Sequence, residues 1–274
     1  MSIKRYRKTI YITAWSCVLL LVVSTVCMIV HQSPWLAEHH PQWVSTTRLL
    51  MHLSSSDHYR DLPAYKEISK RYSAKSMSDK ELNMTMKVLF KLTCFTTQTR
   101  QSKRTYIRLI GPSEDPFGYQ DYQRFVRDEF EKYSDQLLVR AYVNKEISPN
   151  TIRWMAYEII NQLKVHPQFL RKTIVSLWIR QFIDAEQLSY TMFQELVPVI
   201  HQVISNPASK SVDRYVGLTY FAMDRHYIDE KQFKEIDQIV FKNCVEYKNN
   251  GNYGRNIESY LRKYHPKTLN LLTH

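Results

Sequence analysis

Four segments of this chain carry the same start signal for a helix: Met77-Ser78-Asp-Lys-Glu81-Leu82, Ile147-Ser148-Pro-Asn-Thr151-Ile152, Ile183-Asp184-Ala-Glu-Gln187-Leu188 and Ile228-Asp229-Glu-Lys-Gln232-Phe233. In each, a Ser or Asp oxygen can accept from the orphan N–H groups of a first helical turn. Glu81, Gln187 and Gln232 stand three residues on, where they close a capping box. An apolar residue before each cap and another four positions after it form a hydrophobic staple. Pro149 adds a residue whose missing N–H costs nothing at the first helical position.

Behind each start runs a stripe with helical spacing. Ile152, Met155, Ala156, Ile159, Ile160 and Leu163 form one, and Phe233, Ile236, Val240, Cys244 and Tyr247 another. Leu188, Met192, Leu196, Val199 and Val203 continue the series. Second helices are expected after Pro167, carrying Leu170, Ile174, Leu177 and Trp178, and after Pro207, carrying Val212, Tyr215, Val216, Tyr220 and Met223. A third pair closes with Asn252 to Tyr264. Caps at 148, 184 and 229 lie 36 and 45 residues apart, a period that belongs to helical-hairpin arrays. The Trp–Leu-Gly–Tyr spacing of tetratricopeptides and the Thr-Pro-Leu-His of ankyrins do not occur. With five glycines in 274 residues, the φ > 0 turns of hairpin-rich sheets would be hard to supply. The expected body is therefore all-α, built of antiparallel helical hairpins as an irregular α-solenoid or a helical bundle.

Ahead of that body, Thr9 to Val30 holds no charge and is long enough to cross a bilayer as one helix. Lys4, Arg5, Arg7 and Lys8 precede it, while His31 to Thr47 holds no Lys or Arg and one acid, Glu38. This asymmetry predicts a cytoplasmic N-terminus and a translocated body. Tyr11, Trp15 and Trp35 stand near the borders, as interfacial aromatics do. A cleaved signal peptide would have a shorter apolar region and small residues at its exit; here the exit reads Cys27-Met-Ile-Val-His31. The expected organisation is a basic head (1–8), a transmembrane helix (9–30), a juxtamembrane stem (31–60), a helical subdomain (61–145) with a loop over 96–118, and a hairpin subdomain (146–274). The place is the cell membrane, with the body extracytoplasmic, which in a Gram-negative cell means the periplasm. Within the body, helices are expected over Pro34–Leu53, Leu62–Tyr72 and Tyr119–Tyr142.

The net charge is +12, of which the head supplies four, leaving +8 for the body. Outside the cytoplasm a basic surface suits anionic lipid headgroups or envelope polymers and not nucleic acid. Arg100, Lys103, Arg104 and Arg108 form the densest cluster, with no acid nearby, and are the candidate anion-binding patch. Cys94 and Cys244 are too few for a disulfide framework. They read as buried small hydrophobes, with pairing the alternative in an oxidising compartment.

Signatures of chemistry are missing: no His-Glu-x-x-His, Gly-x-Ser-x-Gly, Walker loop, Gly-x-Gly-x-x-Gly, Cys-x-x-Cys or Asp-x-Asp occurs. His31, His39 and His40 lack the converging spacing of a metal site. No catalytic residue, cofactor or resident metal is expected. Asn256-Ile-Glu258-Ser259-Tyr260 resembles the Glu-Ser core of lytic transglycosylases, which would imply Glu258 as general acid and base. That family's Gly-Leu-Met-Gln stretch has no counterpart after Ser259, so Glu258 is read as an exposed residue of a terminal helix. The expectation is a membrane-anchored, non-catalytic helical scaffold that binds another protein outside the cytoplasm. The alternatives are an envelope enzyme acting on polysaccharide or lipid, and a basic surface that holds anionic polymer or headgroups.

Overall fold

Three of the four helix-start signals stand just after sharp corners in the computed structural model, which describes residues 16, 18–23, 34–55, 60, 62–95 and 135–273. Every regular element among these residues is helical, and none is a strand. The chain divides into two compact units, Met1–Val88 and Leu89–His274.

The first unit contains α1 (Pro34–His39), a 3-10 turn (Pro41–Trp43), α2 (Thr46–Ser54), α3 (Pro63–Ser73) and the N-terminal part of α4 (Asp79–Phe95). The single helix expected over Pro34–Leu53 is broken at Pro41. Proline disfavours helical dihedrals in the residue before it, and His40 sits at φ −135°, ψ 54°. Leu36, Ala37, Leu49, Leu50, Leu53, Ala64 and Ile68 are buried in this unit. No helix among the described residues is long and apolar enough to cross a membrane. The expected span Thr9–Val30 lies mostly outside them; Ser16 and Val18–Val23 are described, and they are helical.

The second unit continues with α5 (Gln136–Val143), α6 (Pro149–Val165), a 3-10 turn (Pro167–Arg171), α7 (Thr173–Asp184), α8 (Tyr190–Gln194), α9 (Val197–Ile204), α10 (Val212–Asp224), α11 (Glu230–Asn249), α12 (Arg255–Tyr264) and α13 (Pro266–Thr273). The loop expected over 96–118 and most of the helix expected over Tyr119–Tyr142 lie outside the described residues. Ser148 accepts from Thr151 N–H and Asp229 closes a full capping box with Gln232. In the first unit, Ser78 and Glu81 bond reciprocally at the start of α4.

The third start is not at Asp184. That residue ends α7, and its carboxylate takes Arg225 Nε at 2.9 Å. Ser189 is the cap, accepting from Met192 N–H, with Leu188 before it and Phe193 four residues after. The hydrophobic run through Trp178, Phe182 and Ile183 needs Asp184 inside its last turn, and this outweighs a local box of the right spelling. The caps of the hairpin array therefore stand at 148, 189 and 229, which are 41 and 40 residues apart.

Each cap is preceded, three residues earlier, by a left-handed residue: Lys75 (φ 51°), Lys145 (58°), Glu186 (54°) and His226 (60°). These close Schellman corners. Lys145 N–H donates to Tyr142 C=O and Glu146 N–H to Ala141 C=O, and the same two bonds recur at the other three. Gly251 (φ 68°) repeats the corner after α11. L-residues adopt this region at a cost and all four side chains are exposed. Lys145→Gly and His226→Gly are each expected to stabilise the protein by about 0.5–1 kcal/mol. Thermal or urea unfolding measures this, and a lowered midpoint would contradict the assigned corner.

The hairpins α6/α7, α8–α9/α10 and α11/α12 stack in two layers. First helices meet first helices (α6 with α8, α9 with α11), and second helices meet second helices (α7 with α10, α10 with α12). Turns are stitched to the next hairpin by side chains. Tyr215 Oη donates to Pro167 C=O (3.2 Å), and Asn252 Nδ2 donates to Pro207 C=O (2.7 Å). The two prolines are themselves 40 residues apart. α10 and α12 approach each other closely. Asp213 accepts from Asn256 Nδ2 (2.7 Å) and Ile257 N–H (3.0 Å), serving as a remote cap for α12. A Cβ on Gly217 would stand 2.5 Å from the Asn256 side chain, and one on Gly254 would stand 2.5 Å from the Asp213 carboxylate. Gly217→Ala must displace Asn256 from Asp213 and is expected to cost about 1–3 kcal/mol. An unchanged unfolding midpoint would show that the contact yields freely.

Candidate functional site

α9 is apolar on nearly every side, burying Val197, Val199, Ile200, Val203 and Ile204 within the stack. Pro198, His201 and Gln202 are the residues it leaves outside the core. α11 buries Ile236, Val240, Cys244 and Tyr247, so its opposite face carries Glu235, Gln238, Ile239 and Lys242. Where the two helices lie side by side, His201, Glu235, Gln238, Ile239 and Lys242 line an open groove of about 420 Å³. The Nε2 atom of His201 is shielded from solvent and makes no hydrogen bond to a described residue. One acid, one base, an imidazole, an amide and an aliphatic chain make a mixed wall. Such a lining suits a polypeptide segment, which also mixes signs and apolar groups, better than a polymer of uniform charge.

The exposed large apolar side chains of the second unit concentrate on the same layer. Tyr157 and Val165 (α6), Tyr190 (α8), and Phe241 and Val245 (α11) all belong to first helices; Val143 and Leu271 are the others among the described residues of this unit. The second helices α7, α10 and α12 contribute none of these.

A second cluster holds α11 to the end of the chain. Asp237 Oδ1 accepts from Tyr260 Oη and pairs with His265 Nε2 at 2.6 Å. His265 packs its ring on Phe241 at 4.9 Å, and Phe233 meets Tyr260 and Tyr264. Burial, reinforced by the Asp237 carboxylate, pushes the Tyr260 hydroxyl far above the usual phenol range. It therefore stays a proton donor at any physiological pH. One carboxylate oxygen shared by two donors, beside tilted rings, acts as a clamp between α11 and the α12–α13 corner. Beside it, Lys263 donates to Tyr220 Oη (2.8 Å) and lies 4.6 Å from that ring's centroid, about half exposed.

Arg100, Lys103, Arg104 and Arg108, like the head residues Lys4, Arg5, Arg7 and Lys8, lie outside the described residues. Glu258 pairs with Arg262 one turn on at 3.0 Å, with its side chain 42% exposed. A general acid of raised pKa needs a sheltered cleft, and Glu258 has a solvated ion pair instead. His39 and His40 stack on Trp35 and Trp43; His31 is not among the described residues. Cys94 and Cys244 are buried free thiols. Burial pushes both up from the usual thiol range, and the thiolate is the reactive species. In a Cys17→Ser/Cys27→Ser background, maleimide should leave both unlabelled in the native protein and label both after unfolding. Rapid native labelling of either would contradict its burial.

The groove residues carry no signal along the chain. Glu235, Gln238 and Lys242 read as an ordinary solvated helix face, and His201 as a polar break in an apolar run. The groove arises only when helices more than thirty residues apart lie side by side. Compared with protein families, curated proteins and solved structures, the chain matches none.

Proposed function

We propose that the chain is a single-pass membrane protein, N-terminus in the cytoplasm, whose helical body is a non-catalytic scaffold binding another protein outside it. The observation that carries the scaffold reading is the one-sidedness of the hairpin stack. Its first-helix layer holds both the α9–α11 groove and the exposed Tyr157, Tyr190, Phe241 and Val245. Stacked hairpins present an extended surface of this kind, and exposed aromatics are what protein interfaces bury. The tether is supported by the charge asymmetry around Thr9–Val30. It is also supported by Val18 to Val23, six consecutive apolar residues each 50–68% exposed in the folded chain. Water is a poor solvent for such a run, whereas hydrocarbon needs no compensation for it.

The test places a photo-cross-linking residue at Gln238 or Lys242 in the full chain in its native membrane, with Ser259 on the second helix α12 as an exposed control. The same partner should be captured from both groove positions, not from the control, and lost on Lys242→Glu. Capture that is equal at the control, or absent from the groove, would overturn the scaffold reading. A reporter fused after His274 should be active only outside the cytoplasm; cytoplasmic activity would overturn the orientation.

A further inference from the structure

In the first unit the segment between the expected span and α2 carries a continuous exposed ring surface. Trp35 and His39 stack at 4.8 Å and 17°, and His40 and Trp43 at 4.5 Å and 13°. Trp35 meets His40 edge-on at 5.5 Å, which joins the two pairs. Trp35 is 52% exposed and Trp43 64%. The backbone beneath is fixed. Leu36, Ala37 and Val44 are buried, and Arg71 of α3 donates to the carbonyls of Pro41, Gln42 and Val44. Two large amphipathic rings are thus displayed on a rigid base, at little ordering cost on binding.

We propose that this Trp35–His39–His40–Trp43 surface seats in the headgroup layer of the bilayer that holds the span, orienting the first unit on the membrane. The proposal rests on the tether reading above. Indole joins an apolar body to one N–H donor and favours that layer over both water and hydrocarbon. Trp35 follows Val30 by five residues, a reach of at most about 18 Å, so the surface begins at the membrane's edge. From Pro34 to Thr47 there is no Lys or Arg, and Glu38 is the only acid. The seat is therefore one of ring chemistry and not of charge. It should need no anionic lipid and should persist at high salt, unlike a basic patch, whose attraction salt screens.

The test uses the full chain in phosphatidylcholine vesicles whose acyl chains are brominated either near the headgroup or near the bilayer centre. Bromine close to the headgroup should quench tryptophan emission, and Trp35→Phe/Trp43→Phe should cut that quenching about twofold or more. Quenching of Trp15 should be retained, and the pattern should not change with added salt or anionic lipid. Both indoles project outward, so the variant should keep its helical circular dichroism; Trp43→Phe alone, the more exposed site, should show a smaller loss. Unchanged shallow quenching, with the chain still resisting an alkaline wash, would overturn the seat and leave the tether standing. A chain washed off the vesicles would overturn both.

Discussion

Trp178→Ala is expected to destabilise the Leu89–His274 unit by about 3–5 kcal/mol, the range for removing a fully buried tryptophan. Trp178 is completely buried on α7, between the first hairpin and its neighbours. Its ring meets Phe90 edge-on at 5.4 Å, Tyr142 edge-on at 5.2 Å and Phe182 tilted at 5.2 Å. Edge-to-face geometry adds to area burial for the Phe90 and Tyr142 pairs. Alanine would leave a cavity lined by three aromatic side chains that stacked helices on several sides prevent from collapsing. Each hairpin of an array is stabilised mainly through its neighbours, so the damage should spread to α6 and α10. Trp178→Phe should keep much of the packing. Denaturant unfolding followed by far-ultraviolet circular dichroism measures both variants. A loss below about 1 kcal/mol for alanine would mean that the cluster is not the core of the unit.

Arg71→Ala should cost about 3 kcal/mol in the first unit, and Arg71→Lys most of that. The guanidinium donates through Nε to Glu67 (2.9 Å), through Nη1 to Thr46 Oγ1 (3.2 Å), and through Nη2 to the carbonyls of Val44 (2.8 Å), Pro41 (3.3 Å) and Gln42 (3.4 Å). Arg71 and Glu67 are only 17% and 13% exposed, so truncation strands the Glu67 carboxylate and the part-buried Val44 carbonyl. A lysine ammonium cannot span this fan of acceptors, because they match a planar fork with five N–H donors. Thr46 passes the connection on to Glu81 at the start of α4. Bonds from Ser78 and Thr46, in that order, hold the Glu81 carboxyl below the usual carboxylate range. A lowered folded-state pKa stabilises above the unfolded value and is lost as pH falls through the folded one. The Glu81 contribution is therefore present at neutral pH and fades in acid. Amide hydrogen exchange distinguishes the units: Arg71→Lys should speed exchange in α2 and α3 and leave α6 protected. Wild-type exchange in that variant would refute the role assigned to the fork.

Helix identity and most starts are legible along the chain because caps, boxes and staples are local chemistry. Ser78, Ser148 and Asp229 act as their neighbours predict, and the stripe from Ile152 to Leu163 is buried throughout. The third start misleads because Asp184 and Gln187 spell a capping box that a longer hydrophobic run overrides. The corners are hidden for another reason. Lys75, Lys145, Glu186 and His226 hold the left-handed region with no glycine to announce it.

The sequence by itself therefore determined an all-helical body, the approximate order of its hairpins and the presence of an uncharged run behind a basic head. These depend on side chains a few residues apart. Only the tertiary structure decided the regular forty-residue step, the two-layer stack, the Asp213 cap on α12, the Arg71 clasp and the α9–α11 groove. Each joins groups that are twenty-five or more residues apart in the chain. No short-range pattern records such a meeting, because it is fixed by how helices pack.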